Sequence, residues 1–349
     1  MPGNDDSIRP TYERLGSSVT SSGLIAVTRL ELAVRELRDL DYRFGGGHNP
    51  ETLAALLAWG DQLLAGGIPS SQNAAYTVLG DLHNLAGWTA FDTGQVNAAI
   101  YHFVHAGELA REGSDVDLEA NIHYRIGRLH LHHGAPTLAL EAFGRGLGIV
   151  DISHSPLTAS ILYANLAWAH ATMRAVDPAL TCLGAAQDHW ARTDHESLPG
   201  WASFFGENDL NAMTGVIYTE LSRNIDRRFS SFAIPALEDA CSGYRADMAR
   251  SNVFVLIALA DNMLLEGDLG GAVAQADRAM ELANGVDSSR IVDRLAPLRT
   301  DVLRRQSRTP CNDLRDVSQR MTVFAHRRSA RRKALKSRVA GSIGGPCED

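Results

Sequence analysis

Small and apolar residues recur through the middle of the chain with a helical spacing that restarts every forty residues. In DLHNLAGWTAFDTGQVNAAIYHFVHAGELA, Gly87, Gly94, Ala99, Phe103 and Ala106 stand forty residues before Gly127, Gly134, Ala139, Phe143 and Gly146 of EANIHYRIGRLHLHHGAPTLALEAFGRGLGIV. Small residues at the first, third and last of these positions let two antiparallel helices approach closely. The middle glycine ends the first helix, and the phenylalanine is expected to fill the gap between units. This is the pattern of a tetratricopeptide-type hairpin, whose ordinary period is about 34 residues. The surplus is expected to lengthen the helices or the turn around Gly113 to Asp117.

A third copy runs from Tyr163 to Trp190, with Ala167, Ala179, Leu183 and Ala186 in register and Arg174 where the turn glycine stood. Ala260, Gly267, Ala272, Ala276 and Ala279 restore the spacing later. Between these copies, Asp209 to Tyr218 and Ile234 to Tyr244 read as a broken hairpin linked by SRNIDRRFSS. Before the repeats, Leu24, Val27, Leu30, Val34, Leu37 and Leu40 predict a helix over Leu24 to Asp41. FGGGHNP interrupts it, and Pro50 suits the first turn of the next helix. The prediction is an all-α, tetratricopeptide-like superhelix of antiparallel hairpins over residues 23–308, its first two helices capping the array. Residues 1–22 are polar and rich in Gly, Pro and Ser, and are expected to be disordered. Residues 309–349 are expected to form a basic, disordered tail.

Composition narrows the class. The chain is 45 % hydrophobic and has 12 prolines in 349 residues. It shows neither a run of apolar residues long enough for a membrane helix nor a basic segment followed by an apolar core at its start, so a cytoplasmic location and no membrane partner are expected. The four cysteines, at 182, 241, 311 and 347, lack paired short spacings, which argues against a disulfide framework or a zinc knuckle. A net charge of −8 hides an asymmetry: Arg299 to Arg338 hold 13 basic residues against 3 acidic ones, leaving 20 basic and 38 acidic elsewhere. Within that tail Arg327, Arg328, Arg331, Arg332, Lys333, Lys336 and Arg338 are candidates for weak phosphate contact on nucleic acid without base reading. A solvated terminus is the plainer explanation.

Candidate chemistry is confined to the first helix of each hairpin, which lines the concave surface. The inward set is Asp81, Asn84, Trp88, Phe91 and Asp92 in the first unit, Asn121, Tyr124, Arg128 and His132 in the second, and Ala164 and Trp168 in the third. Arg128 suits a carboxylate while Trp88 and Trp168 supply apolar area, a mixture fitted to a peptide or a small amphipathic ligand. The competing account makes both tryptophans wedges between helices. Nine of the 13 histidines fall between His83 and His170, and His102/His105 and His130/His133 are three apart on one helix. Repeat position accounts for them more simply than a metal does, so no metal and no cofactor are expected. Nor does Asp81, His83 and Asp92 define a substrate geometry. The three glycines at 45–47 are not followed by the pattern of a phosphate-binding loop, and no GxSxG, HExxH, Walker or cysteine-ligand motif occurs.

DLHNLAGWTAFDTG, ANIHYRIGRLHLHHGAP, ANLAWAHATM, WASFFGENDLNAMTGVIYTEL, FAIPALEDACSGYRADMARS and SSRIVDRLAPLR together resemble the tetratricopeptide portion of actinobacterial Xre-type helix-turn-helix transcriptional regulators. The resemblance covers roughly residues 24–305. It implies a module that senses a signal or mediates dimerisation. The DNA-binding domain of those regulators has no counterpart before Leu24, so sequence-specific DNA binding by this chain alone is not expected. The leading expectation is a regulatory sensor or adaptor binding a peptide, a small molecule or a regulator protein in the groove. A biosynthetic enzyme using a recruited superhelical pocket and a structural homodimerisation module stay open beside it, and catalytic residues are assigned to none of these.

Overall fold

The computed structural model describes residues 9–66, 73–196 and 198–343, with side chains between 25 and 330. These residues form fourteen α-helices and three short 3-10 turns, with no strand among them. Helices α1 (Arg9–Phe44) and α2 (Pro50–Ala65) precede six hairpins in succession. The hairpins are α3 (Asn73–Asp92) with α4 (Val96–Glu112), α5 (Val116–His132) with α6 (Pro136–Ile149), and α7 (Pro156–Thr172) with α8 (Val176–Ala191). They continue with α9 (Glu207–Asn224) and α10 (Ser230–Gly243), α11 (Ala249–Glu266) and α12 (Leu269–Ala283), and α13 (Arg290–Arg308) and α14 (Asn312–Ile343). The molecule is an all-α helical-repeat superhelix. Helix α1 already begins at Arg9, inside the stretch expected to be disordered, and residues 1–8 lie outside the described residues.

The turns show why the forty-residue spacing works. Gly94, Gly134 and Gly267 have φ of 71°, 73° and 90°, and Arg174 adopts the same left-handed region at 64°. After each of these residues a backbone N–H reaches five residues back: Gln95 to Ala90 at 2.7 Å, Ala135 to His130 at 3.0 Å, Ala175 to His170 at 2.9 Å and Asp268 to Met263 at 2.9 Å. That bond satisfies a carbonyl orphaned at the helix end. The phenylalanines act differently from expectation. A Cβ at Gly87 would lie 2.5 Å from the Phe103 ring and one at Gly127 2.2 Å from the Phe143 ring, so each phenylalanine fills the space left by the glycine of its own hairpin, not a gap between units.

The tail also differs from expectation. Leu314, Val317, Met321 and Phe324 form an apolar stripe on α14 and are buried in one core with α11, α12 and α13. Arg328 donates to the carbonyls of Ala283 (2.7 Å) and Val286, capping the end of α12, so it is tied into the fold instead of free for phosphate. Arg327 is exposed, while the side chains of Arg331, Arg332, Lys333, Lys336 and Arg338 lie outside the described residues. The stretch Ala246–Glu266 is long and apolar enough to cross a membrane, with mean hydropathy 1.4, yet its most apolar 18 residues are 67 % buried among the other helices.

The superhelix closes on itself. The loop between α12 and α13 returns to the start of the chain, where Asp287 N–H donates to Phe44 C=O at 2.6 Å and Gly47 N–H to Asp287 C=O at 3.3 Å. Gly45, at φ 85°, leaves no room for a side chain, because a Cβ would stand 2.5 Å from the Asp287 oxygen. The run of glycines is a seat for this loop. Helix α11 also packs on α1.

Candidate ligand-binding cavity

At the point of closure sits Asp92, fully buried at the end of α3. Its Oδ1 accepts from Ser288 Oγ and Arg290 Nε, each at 2.7 Å, and its Oδ2 from Gly46 N–H at 3.0 Å and Arg250 Nη1 at 2.9 Å. The Asp92 carbonyl takes both the N–H and the hydroxyl of Ser289 at 2.9 Å. Arg250 is shared with Asp41 of α1, whose Oδ2 lies 2.8 Å from Nη2. Burial alone would raise the Asp92 carboxyl, but the two guanidiniums and the bonds from Gly46 and Ser288 outweigh it and hold the group far below the usual carboxylate range.

Beside this cluster a cavity runs between the concave faces of α3, α5 and α7 and the returning helices α9, α11 and α13. The space open to water centres is about 120 Å³. Trp88, Tyr124 and Phe204 form a ladder on one wall, with Trp88 and Tyr124 centroids 6.4 Å apart and the Tyr124 and Phe204 rings 5.5 Å apart and nearly parallel. Guanidiniums cover the aromatic rings. Arg128 and Arg294 both approach Trp168, at 4.3 and 4.5 Å from its centroid, and Arg290 lies 4.7 Å from that of Trp88. Such cation–π contacts contribute about 0.5–2 kcal/mol each.

The arginines divide into two kinds. Arg250 and Arg290 are matched by Asp41 and Asp92. Among the described residues Arg128 donates only to Asn165 Oδ1 at 3.1 Å and, weakly, to Met213 Sδ at 3.8 Å. Arg125 donates to the Asn84 carbonyl at 2.9 Å, and its buried Nε has no partner among the described residues. Among the described residues neither these two nor Arg294 has a carboxylate within 4 Å. Burial pulls Arg128 down to about 9 and Arg294 to about 10; neighbouring guanidiniums push the same way, while Glu220, Asp261 and Asp293 oppose the shift at Arg294 and Tyr124 opposes it at Arg128. The cavity's own acid, Asp209, is raised to about 6 by burial, although its oxygens accept from Gly206 N–H at 3.1 Å and Tyr244 Oη at 2.8 Å.

Of the eleven residues expected to face the groove, Trp88, Tyr124, Arg128 and Trp168 line this cavity. The others serve the framework. Asn84 donates to Asn121 at 3.0 Å in a buried pair between α3 and α5, Asp81 pairs with Arg38 at 2.5 Å, and His132 Nε2 meets Asp293 at 3.2 Å. Asp92 is the closure carboxylate. Phe204, Phe254, Arg290 and Arg294 were not expected there. Arginines four apart in SSRIVDRLAPLR mark one face of a helix, but nothing local says that this face turns inward.

Two further features flank the cavity. His83, His102 and His105 gather between α3 and α4, with the Nδ1 atoms of His83 and His102 3.1 Å apart. Burial and the neighbouring rings lower His83 to about 3. No group of His, Cys, Asp and Glu among the described residues is arranged to hold a metal. An open cleft of about 1330 Å³ lies between the closure loops and α12 and α14, with Asp277, Glu281, Asp293, Asp316, Arg320 and Arg327 on its walls.

No family model and no curated protein matches the chain. Among solved structures it is similar to the crystal structure of BtubC (BKLC) from P. vanneervenii, at 19 % identity over 75 % of this chain and 91 % of that one, with a TM-score of 0.40.

Proposed function

We propose that this chain is a regulatory sensor whose signal is a small molecule held in the cavity between Trp88, Tyr124, Arg128 and Trp168. The carrying observation is the cavity itself: aromatic walls and convergent donors at the centre of a closed superhelix, contacted by three successive hairpins and by α13. At about 10–15 Å³ per water centre the space holds on the order of ten waters, which at about 30 Å³ of liquid each places it at the small end of ligand pockets. That size favours a small molecule over a peptide. The resemblance to the repeat module of Xre-type regulators supports the regulatory half of the reading. Against an enzymatic use stands the role of Asp209, the one lining carboxyl near neutrality, which is engaged as a helix-capping group at the start of α9.

Thermal-shift and calorimetric titration of small metabolites against the intact chain tests the reading, with Ala212→Phe, which fills the cavity, as control. Ligands that bind the native chain and not the filled variant are expected. Binding indifferent to Ala212→Phe would place the site elsewhere.

An adaptor for a partner protein is the second reading, favoured by the 1330 Å³ cleft. Light scattering over a concentration series separates self-association from a monomer awaiting another protein.

A further inference from the structure

Among the described residues the cavity holds more guanidiniums than carboxylates in contact with them. Arg250 and Arg290 are accounted for by Asp41 and Asp92, but Arg125, Arg128 and Arg294 face the same space with no carboxylate within 4 Å among the described residues. The acids nearby act on these guanidiniums without touching them: Glu220, Asp261 and Asp293 favour the charged form of Arg294, yet none lies within 4 Å of it. Glu220 accepts from Trp168 Nε1 at 3.4 Å and Asn224 Nδ2 at 3.2 Å, and Asp209 is bonded to Gly206 and Tyr244. Asp261 is paired with Arg223 at 2.7 Å.

A guanidinium withdrawn from water with no carboxylate in contact is costly, and its like-charged neighbours add to that cost. Packing does not require it: Arg128 and Arg294 lie against the same indole, where a neutral side chain of similar length would keep the packing and lose only the cation–π attraction. What the pair supplies instead is a set of planar N–H donors beside a cavity walled by the rings of Trp88, Tyr124, Phe204 and Phe254. Donors of this kind match the geometry of a carboxylate or phosphate.

We propose that the cavity binds a small planar organic anion, its carboxylate or phosphate held between Arg128 and Arg294 and its ring stacked on the aromatic ladder of Trp88, Tyr124 and Phe204. The assignment rests on the sensor reading of the same cavity and adds the ligand's chemical class. A bound anion supplies the contact that Arg128 and Arg294 lack, so it stabilises the folded chain by linkage as well as occupying the site.

The experiment uses the intact chain and four probes of similar shape: benzoate, phenyl phosphate, neutral benzyl alcohol and cationic benzylammonium. Calorimetry and thermal shift are run on the native protein and on Arg128→Gln, Arg294→Gln and Ala212→Phe. Benzoate or phenyl phosphate is expected to bind at least tenfold more tightly than benzyl alcohol and to raise the melting temperature, with benzylammonium weakest. The stronger of the two anions tells carboxylate from phosphate. Each arginine variant is expected to lose at least tenfold in anion affinity while melting no lower than the native chain, an outcome that a purely structural arginine would not give. The ranking on the native protein stands even where a variant fails to fold. Equal binding of benzyl alcohol and the anions, abolished by Ala212→Phe, would overturn the anion and leave the sensor. Failure of all four probes at millimolar concentration would overturn the anion assignment, and metabolite titrations equally silent would remove the sensor with it.

Discussion

Arg174 occupies a backbone region that glycine holds at the equivalent turns, with φ of 64° and an exposed side chain. A non-glycine residue there costs about 1–2 kcal/mol, and glycine returns about 0.5–1 kcal/mol of that through the greater freedom of the unfolded chain. Arg174→Gly is therefore expected to stabilise the protein by up to about 1 kcal/mol, read as a higher urea midpoint with an unchanged slope. Asp92 is the opposite case. Asp92→Ala leaves Arg250 and Arg290 facing each other in a buried site, and a loss of about 3–5 kcal/mol in chemical denaturation is expected. His83 supplies a pH dependence. Its folded value near 3 lies below the ordinary 6.5, so the fold favours the neutral ring. The stability it contributes is whole above about pH 6.5 and declines as pH falls toward 3. Asp209 and Asp261, both raised to about 6, act in the other sense, stabilising the fold as pH falls from about 6 toward 3.8. Their share cancels when native protein and His83→Gln are compared at each pH. The native chain should lose, relative to the variant, on the order of 1 kcal/mol per pH unit between pH 6 and 4. A flat difference over that range would show that the ring is solvated in the fold.

At the scale of the element, the first two hairpins solve one volume problem with two residues sixteen positions apart, Gly87 with Phe103 and Gly127 with Phe143, and the third has the buried Ala167 and Leu183 at the same positions. Gly127→Ala places a methyl against the Phe143 ring and should cost about 1–3 kcal/mol by overpacking. Adding Phe143→Leu copies the third hairpin's combination, and the double variant is expected to recover much of that loss. A double-mutant cycle by urea denaturation reads the coupling directly. The recurrence of these residues was legible from the chain, but their pairing within one hairpin was not, because spacing alone does not say which neighbouring helix the phenylalanine meets. Nor was the place of α14, since nine Arg and Lys residues along it mask Leu314, Val317, Met321 and Phe324, whose spacing of three and four is an ordinary helical stripe. Burying each such side chain contributes about 1.5–3 kcal/mol. A chain ending at Arg308 should accordingly expose the faces of α12 and α13, bind a hydrophobic dye and be cleaved there by protease, while the full chain resists.

At the scale of the molecule, local spacing foretold the hairpins but not the ring they make. Trp88, Tyr124, Arg128 and Trp168 were legible as a concave set because repeat register alone places them there. Arg290 and Arg294 were hidden, because they reach the cavity only through contacts between residues nearly two hundred positions apart, such as Ser289 with Asp92. The same contacts change how the chain folds. In an open array stability is roughly a sum over neighbouring repeats, folding starts anywhere, and the ends fray first. Here the first and last units are fastened together, so neither end has a free interface to lose. The closing contacts reward the chain only after a long loop has been organised, which puts them late in folding and makes it slow for an all-helical protein. Hydrogen exchange should find α3 and α11 opening together in one cooperative event, and Asp92→Ala should turn that event into the progressive melting of a linear array.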